Sequence, residues 1–276
     1  MLQSAKTGPS ILSADDPNPT EVVNASGKSA FVLTCEHAGR AVPSRLGDLG
    51  IDAAEFERHI TYDMGAEGLS RRMVALLDAP LILQRYSRLV VDCNRPFAAR
   101  DCFPEISDGT VIPANQHLSE HERKSRYEEI HQPFHRAIGE LLDRREREQK
   151  PAMLLPIHSF TPRSNGKDRL CLVGALFNKD RTLADLFLRA FAAANPGIRV
   201  AENEPYRVDN MSDYTIPIHG EARGIPHLLL EIRNDQIGQA GDQARWARLL
   251  TDALMAAAAM IHEKGAIDVR WFSSHA

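Results

Sequence analysis

Short apolar runs alternate with longer amphipathic segments along most of this chain. Six runs of four to seven residues are typical of strands that are buried on both faces. They are residues 30–34, 81–84, 89–92, 153–158, 170–176 and 227–233. Between them, apolar residues at helical spacing predict helices over 63–78 and 180–195, a helix that begins at a Ser119–Glu122 capping box, and a last helix over 238–264. The alternation predicts an α/β fold with a largely parallel sheet between two layers of helices.

The same pattern predicts a simple domain organisation. Residues 1–28 mix Ser, Pro, Asp, Asn and Gly without periodicity, which is typical of a flexible N-terminal tail and lead-in. Residues 29–276 hold the whole alternating pattern, with no internal repeat and no convincing linker. We therefore predict a single domain over 29–276.

Charge and composition narrow the class of protein. The 276 residues include 33 basic and 37 acidic ones, a net charge of −4, so no broad attraction for nucleic acid or an anionic membrane is expected. No apolar run approaches the ~20 residues of a membrane span, and the first residues lack the pattern of a signal peptide. The four cysteines form no C-x-x-C pair and are interpreted as reduced thiols. These features predict a cytoplasmic protein; they do not predict its oligomeric state.

Two histidines stand where apolar runs end. In sheets of this kind ligands bind beyond the carboxyl ends of the strands, and His37 and His158 lie at such ends. Imidazoles suit zinc, and a catalytic zinc needs about three protein ligands, so a carboxylate is expected to complete the set. Asp63 is preferred to Glu36, because adjacent residues point opposite ways in extended backbone. A bend would weaken that objection, so Glu36 remains an alternative ligand.

A pair of charges, Glu231 and Arg233, ends the last apolar run. Residues two apart share one face of a strand, and unpaired charges in the core would cost several kcal/mol each, so both are expected to emerge into a pocket. There Glu231 is a candidate general base and Arg233 a candidate ligand for an anionic group. A buried ion pair, or a network with Arg88 and Asp92, is an equally good interpretation.

Four further polar residues are candidates for substrate binding. Arg88, Asn94 and Arg95 flank the apolar run 89–92, and Ser159 follows His158. A planar guanidinium matches a carboxylate better than an ammonium does, so an anionic ligand is expected to be held by local arginines. Ser159 lacks a G-x-S-x-G motif and is not predicted to be a nucleophile.

Each of these residues also has a structural interpretation. A single histidine at a strand end is usually a hydrogen-bonded structural residue, and Asp63 taken alone is more often a helix cap. His131 and His135 lie four apart in a helical segment, but no Glu follows the first histidine, which disfavours a zinc-protease motif. Only the combination of several strand-end residues favours a catalytic site.

The order of these motifs resembles that of the N-formylglutamate amidohydrolases over most of residues 30–260. The matching segments are Cys35-Glu36-His37-Ala38-Gly39 with Val42-Pro43, Asp63 with Gly65-Ala66, Ser87-Arg88 through Asn94-Arg95-Pro96, His158-Ser159-Phe160-Thr161-Pro162, Asn203-Glu204-Pro205-Tyr206 and Glu231-Ile232-Arg233-Asn234-Asp235. The chain departs from better-known members, which have Pro-His-Ser-Gly at Glu36-His37-Ala38-Gly39 and Asp-Gly-His-Ser at Pro156-Ile157-His158-Ser159. It therefore resembles a divergent branch in which the acyl group or amino acid can differ.

The resemblance implies a three-layer α/β/α sandwich similar to that of the zinc-dependent exopeptidases, and hydrolysis of N-formyl-L-glutamate to formate and glutamate. It implies that His37, His158 and Asp63 bind zinc or another divalent metal, with Glu231 as base and Arg233 or Arg88 near the substrate. The resulting hypothesis is a metal-dependent amide hydrolase acting on a small N-acyl amino acid. The alternative is a non-catalytic protein that binds an acidic metabolite on the same fold.

Overall fold

A seven-stranded sheet forms the centre of the computed structural model, which describes residues 10–164 and 166–263. The strands of the described residues are β1 (Thr20–Val23), β2 (Phe31–Cys35), β3 (Leu81–Gln84), β4 (Ile106–Ser107), β5 (Thr110–Val111), β6 (Met153–Phe160), β7 (Arg163–Ser164), β8 (Lys167–Asp168), β9 (Val173–Leu176), β10 (Val200–Glu202) and β11 (Leu229–Arg233). The α-helices are α1 (Ala66–Leu77), α2 (Glu120–Arg126), α3 (Gln132–Arg147), α4 (Thr182–Ala194) and α5 (Ala240–Glu263), and two π-helical segments cover Tyr127–His131 and Ile216–Glu221.

The sheet is mixed and mostly parallel. Its strand order is β1-β3-β2-β6-β11-β9-β10, while β4–β5 and β7–β8 form small hairpins outside it. Neighbouring strands from β3 to β11 run parallel, whereas β1 is antiparallel to β3 and β9 is antiparallel to β11. The carboxyl ends of β2, β6 and β11 therefore meet at one edge of the sheet, as the sequence predicts.

Two apolar cores show that helices cover both faces of the sheet. In β2, Phe31 and Leu33 belong to the core that includes α1, α4 and α5, whereas Val32 belongs to the core that includes α3. This alternation follows from the period of two in a strand, and both faces are apolar because both are covered. The predicted α/β sandwich of three layers is confirmed.

Most predicted elements are present, but the predicted strand at 89–92 is not. Leu89, Val90 and Val91 are completely buried, yet the Val90 amide donates to the Ser87 carbonyl and the Asp92 amide to the Cys102 carbonyl. The run is apolar because it fills the core beneath a loop. Residues 170–172, predicted to open a strand, also precede β9 as non-strand backbone.

Strands β1 and β10 were not predicted. Strand β1 lies within the segment 1–28 that was expected to be a flexible tail, and it pairs with β3 from Thr20 opposite Gln84 to Val23 opposite Leu81. It escaped prediction because an edge strand with one open side needs no continuous apolar run. Residues 20–23, within the predicted tail and lead-in, thus form a paired strand, while the division into residues 1–28 and a single domain over 29–276 stays a prediction.

The long helical segment after Ser119 is confirmed with its capping box. The Ser119 side chain accepts from the Glu122 amide, and the Glu122 side chain accepts from the Ser119 amide. The segment is interrupted by the π-helical turn between α2 and α3. Across the described parts of the chain, we find no helix that is both long and apolar enough to cross a membrane.

Candidate metal and catalytic site

The predicted residues from three strand ends line one cavity of about 360 Å³. His37 follows β2, His158 lies in β6, and Glu231 lies in β11 opposite His158 in the parallel register. Asp63 precedes α1, and its amide donates to the His37 carbonyl at 2.9 Å. Its side chain does not cap α1, whose N-cap residue is Gly65, so the interpretation of Asp63 as a helix cap is wrong.

His37, His158 and Asp63 form a compact buried cluster. The two Nδ1 atoms are 3.1 Å apart, and Asp63 Oδ2 is 3.0 Å from His158 Nδ1 and 3.4 Å from His37 Nδ1. A tetrahedral zinc with ligands at about 2.0–2.1 Å would separate ligand atoms by about 3.3 Å. The donor atoms and their spacing therefore fit a divalent metal ion, and this is the metal-compatible group among the described residues.

Carboxylates behind the two imidazoles explain their orientation. His37 Nε2 donates to Asp92 Oδ1 at 2.7 Å, and His158 Nε2 lies 2.9 Å from Glu36 Oε2. A carboxylate on the outer nitrogen holds the ring and leaves Nδ1 as the ligand atom. Glu36 thus faces the back of His158, and the position of Asp63 in the cluster favours Asp63 over Glu36 as the third ligand.

Electrostatics in this cluster favour a cation. Burial alone would raise the pKa of Asp63, but His37 and the hydrogen bond from His158 hold that pKa well below its usual range. The pKa of Glu36 is also lowered, because its contact with His158 outweighs the effect of burial. The pKa of His158 is raised against burial by hydrogen bonds to Asp63 and Glu36. Buried carboxylates thus create a negative environment that a divalent metal would neutralise.

Glu231 has the surroundings of a proton carrier. Its side chain is buried at the cavity wall, and Oε2 has no hydrogen-bond partner within the described parts of the chain. Burial raises the pKa of Glu231 to about 8, against the opposing charge of His158. A carboxyl group whose pKa lies near neutrality is suited to both accepting and donating a proton.

Arg88 and Arg95 line the cavity and are both paired with carboxylates. Arg88 donates to Asp92 at 2.7 Å and to Asp63 at 3.3 Å, and Arg95 donates to Asp101 at 2.7 Å. Arg88 therefore bridges a candidate metal ligand and the carboxylate behind His37. Arg88 and Asp92 pair within the site, but among the described residues neither Glu231 nor Arg233 joins them, so the alternative network of all four residues is not formed.

Asn94 and Ser159 also reach the cavity, but their polar atoms are largely committed to the protein. Asn94 Oδ1 accepts from the amides of Tyr214 (3.2 Å) and Thr215 (3.1 Å), and Nδ2 donates to Asp213 at 2.9 Å. The Ser159 amide donates to Asp63 Oδ2 at 3.2 Å, and its hydroxyl donates to the Met64 carbonyl at 2.9 Å. These contacts favour roles in positioning the site over direct contact with substrate.

Arg233 does not join the site. Its guanidinium donates to Asp235 at 2.8 Å and to the Arg169 carbonyl at 3.0 Å, and it is absent from the cavity lining that the described residues form. Glu231 and Arg233 share a strand face, but Arg233 ends β11 and turns toward the following loop. The expectation of a catalytic Arg233 is corrected by this position.

His131 and His135, the alternative metal pair, each use Nε2 to bond a backbone carbonyl. His131 Nε2 donates to the Arg95 carbonyl at 3.0 Å, and His135 Nε2 donates to the Cys93 carbonyl at 2.6 Å. His135 Nδ1 lies 3.1 Å from His219 Nε2. Burial lowers the pKa of His131 to about 3, of His219 to about 4, and that of His135 well below its usual value. These neutral histidines support the loop 93–95 rather than a metal.

Sequence reasoning did not find the wall that the loop after β10 contributes to the cavity. Its cavity-lining residues are Tyr206, Arg207, Ser212 and Asp213. The loop carries no periodic pattern, and Tyr206 is identified only as part of the Asn203-Glu204-Pro205-Tyr206 segment of the resemblance. Its polar and aromatic composition was the available signal, but the partner that holds it, Asn94, is more than 100 residues away in sequence.

Comparisons with known proteins give a family match and similar structures. The model of the family described as N-formylglutamate amidohydrolase matches residues 29–238. The gene product Atu2144 from Agrobacterium tumefaciens has a similar structure, with a TM-score of 0.88, 33% identity, and coverage of 91% of this chain and 99% of that chain. An N-formylglutamate amidohydrolase from Ralstonia eutropha JMP134 shares the fold, with a TM-score of 0.63, 19% identity, and coverage of 90% and 100%. No match was found among curated proteins.

Proposed function

We propose that this chain, which belongs to the N-formylglutamate amidohydrolase family, is a metal-dependent hydrolase of N-formyl-L-glutamate or a related N-acyl amino acid. The observation that carries the proposal is the pairing of a metal-compatible His37, Asp63 and His158 cluster with the unpartnered Glu231 carboxyl in one cavity. The four free, buried cysteines are compatible with the cytoplasmic location that the sequence predicts.

His37, His158 and Asp63 would hold the metal, for which zinc is the proposed identity. When bound there, a divalent metal supplies Lewis acidity toward the amide carbonyl and lowers the pKa of water. Asp92 and Glu36 keep the two imidazoles oriented, and Arg88 and Ser159 hold the Asp63 carboxylate in place. The protein thus arranges its ligands before the substrate arrives.

Glu231 is the proposed general base and acid. It takes a proton from the attacking water as the carbon–oxygen bond forms, and it delivers that proton to the amide nitrogen as the carbon–nitrogen bond breaks. Water is consumed, and formate and the free amino acid are released. A pKa raised to about 8 by burial makes the Glu231 carboxylate a stronger base toward the attacking water than an ordinary carboxylate would be.

Arg88 and Arg95 are proposed to bind the substrate carboxylate next to the amide. Both line the cavity near the metal cluster, and each guanidinium carries five donors, of which the carboxylate pairs use only some. No observation favours the alternative, a non-catalytic binding protein, over the hydrolase.

Formate release from N-formyl-L-glutamate tests the proposal on the protein as isolated, after chelation, and after zinc is restored. We expect activity to vanish on chelation and to return with zinc, and a His37→Ala variant to lose bound zinc. The exposed His121 offers a matched control, because a His121→Ala variant should keep both zinc and activity. Full activity in a metal-free protein would contradict the metal role, and no formate under any condition would reject the substrate.

A further inference from the structure

The arginines at the cavity differ in whether they are already paired. Arg88 and Arg95 each bond to a carboxylate of the protein. Arg207 also lines the cavity, but it is exposed and forms no ion pair with any carboxylate among residues 10–164 and 166–263. A guanidinium that lines a cavity without a protein anion is available for an anion of a ligand.

The backbone around Arg207 is held in place. Val208 is buried in a small apolar cluster with Leu176, Ile216 and Leu229, and the Tyr206 ring lies 4.8 Å from the Arg169 guanidinium carbon. The residues on both sides of Arg207 are thereby anchored. Arg207 is exposed where it lines the cavity, whereas the metal-compatible cluster that lines the same cavity is buried.

A second guanidinium, that of Arg169, packs on the Tyr206 ring and forms no ion pair with a carboxylate within the described ranges. Arg169 Nη1 donates to the carbonyl and hydroxyl oxygens of Thr161, both at 3.3 Å, and the group packs 5.7 Å from the centre of the Phe160 ring. Arg233, which donates to the Arg169 carbonyl, helps to fix this position. Arg169 thus packs against Tyr206, the cavity-lining residue that precedes Arg207 in the chain.

We propose that Arg207, supported by Arg169, binds a side-chain carboxylate of the substrate and so selects N-acyl amino acids with an acidic side chain. This inference rests on the proposed function. The scissile amide must lie at the buried cluster, and the α-carboxylate is two bonds from its nitrogen, within the region of Arg88 and Arg95. A glutamate side chain places its carboxylate carbon three bonds from the α-carbon, which would let it reach from the buried cluster to the exposed part of the cavity wall that includes Arg207.

Two substrates of equal size and different charge test the proposal. Kinetics are measured on N-formyl-L-glutamate and N-formyl-L-glutamine with the zinc-loaded protein and its Arg207→Ala and Arg207→Lys variants. We expect Arg207→Ala to raise KM for the glutamate compound about tenfold or more and to leave KM for the glutamine compound within about twofold, because a charge-assisted hydrogen bond is lost only from the former. Arg207→Lys should restore part of the difference.

Arg163 offers a matched control. It is an exposed arginine on the nearby β7–β8 hairpin, paired with Asp168 at 3.3 Å, and an Arg163→Ala variant should change neither KM. If Arg207→Ala weakens both substrates equally or affects neither, the proposed specificity is wrong.

Calorimetric binding of glutarate separates this proposal from the proposed function. Should the wild-type protein deformylate neither compound, the assigned reaction fails, yet tenfold weaker glutarate binding by Arg207→Ala would still support the anion site. Equal glutarate affinity of the wild type and the variant would overturn it.

Discussion

His37 and His158 act through both of their ring nitrogens. The inner nitrogens face each other and Asp63, while the outer nitrogens face Asp92 and Glu36. Because a metal-ligating histidine needs its ring orientation fixed, we expect the outer carboxylates to matter to the proposed metal site nearly as much as the proposed ligands do. The charges of Asp92 and Glu36 also raise the attraction for a cation in a region from which water is largely excluded.

At the residue scale, the sharpest prediction concerns Glu231, the proposed general base and acid. Replacing Glu231 with Gln keeps the size of the side chain but removes its ability to exchange a proton. We expect kcat to fall by about 10²–10⁴-fold with bound zinc unchanged, measured by formate release and metal analysis. The exposed Glu202, paired with Arg181, gives a control in Glu202→Gln, which should keep wild-type kcat. Full turnover in Glu231→Gln would remove Glu231 from the role of base.

The cavity residues whose positions were predictable are those at the ends of apolar runs. His37, His158 and Glu231 were found because strand ends meet at one edge of a parallel sheet. The positions of Asn94 and Arg233 were also visible, but their hydrogen-bond partners were not. Asn94 is engaged by amides about 120 residues away, and Arg233 by its neighbour Asp235, so tertiary contacts decide which polar side chains remain available.

At the scale of elements, burial and strand formation proved to be separate properties. Continuous apolar runs in the sequence mark the buried strands β2, β3 and β6. The loop 89–92 has the same kind of run, although it is buried without being a strand. Periodicity cannot separate these cases, because it reports the surroundings of a side chain and not the partners of the backbone. Short or half-exposed strands such as β10 show the opposite error, because they are strands that have no continuous apolar run to predict them.

Asn94 joins the loop after residues 89–92 to the loop after β10, and its replacement has a specific expected outcome. An Asn94→Ala variant leaves the Tyr214 and Thr215 amides without their acceptor and frees the cavity wall at Asp213. We expect the free energy of unfolding to drop by about 1–3 kcal/mol, measured by denaturant titration, and KM to rise more than kcat falls. Asn210→Ala on the same loop is the control, because the Asn210 side-chain oxygen accepts a single hydrogen bond, from Asn178 Nδ2, within the described residues. Wild-type stability and KM in Asn94→Ala would contradict this role.

At the scale of the whole molecule, the buried histidines connect stability with pH. His131, His135 and His219 have lowered pKa values in the folded state, so they stay neutral while the unfolded chain takes up protons below about pH 6.5. Their contribution is therefore fully present above pH 6.5 and is lost as the pH falls toward 4. Burial is the main cause for each, and for His219 the charge of Arg223 adds to it.

This linkage predicts acid destabilisation with a defined slope. Each neutral buried histidine should reduce the free energy of unfolding by about 1.4 kcal/mol per pH unit below its unfolded pKa. Denaturant titrations between pH 7 and 4 should give a shallower slope for a His219→Gln variant than for the wild type. The exposed His121 provides the comparison, because His121→Gln should leave the slope unchanged. Identical slopes for all three proteins would show that His219 is protonated in the fold.

The short strand β1 has a consequence for aggregation. The family match begins at residue 29, so β1 lies outside it, yet β1 covers the backbone of β3 along its whole length. The residues of β3, Leu81-Ile82-Leu83-Gln84, form an apolar and completely buried segment. A protein trimmed to the family boundary would expose this segment as an open sheet edge, the kind of surface to which a second molecule adds its own strand. We therefore expect β1 to prevent two copies of the protein from pairing through the edge of β3, an effect that does not depend on the proposed activity.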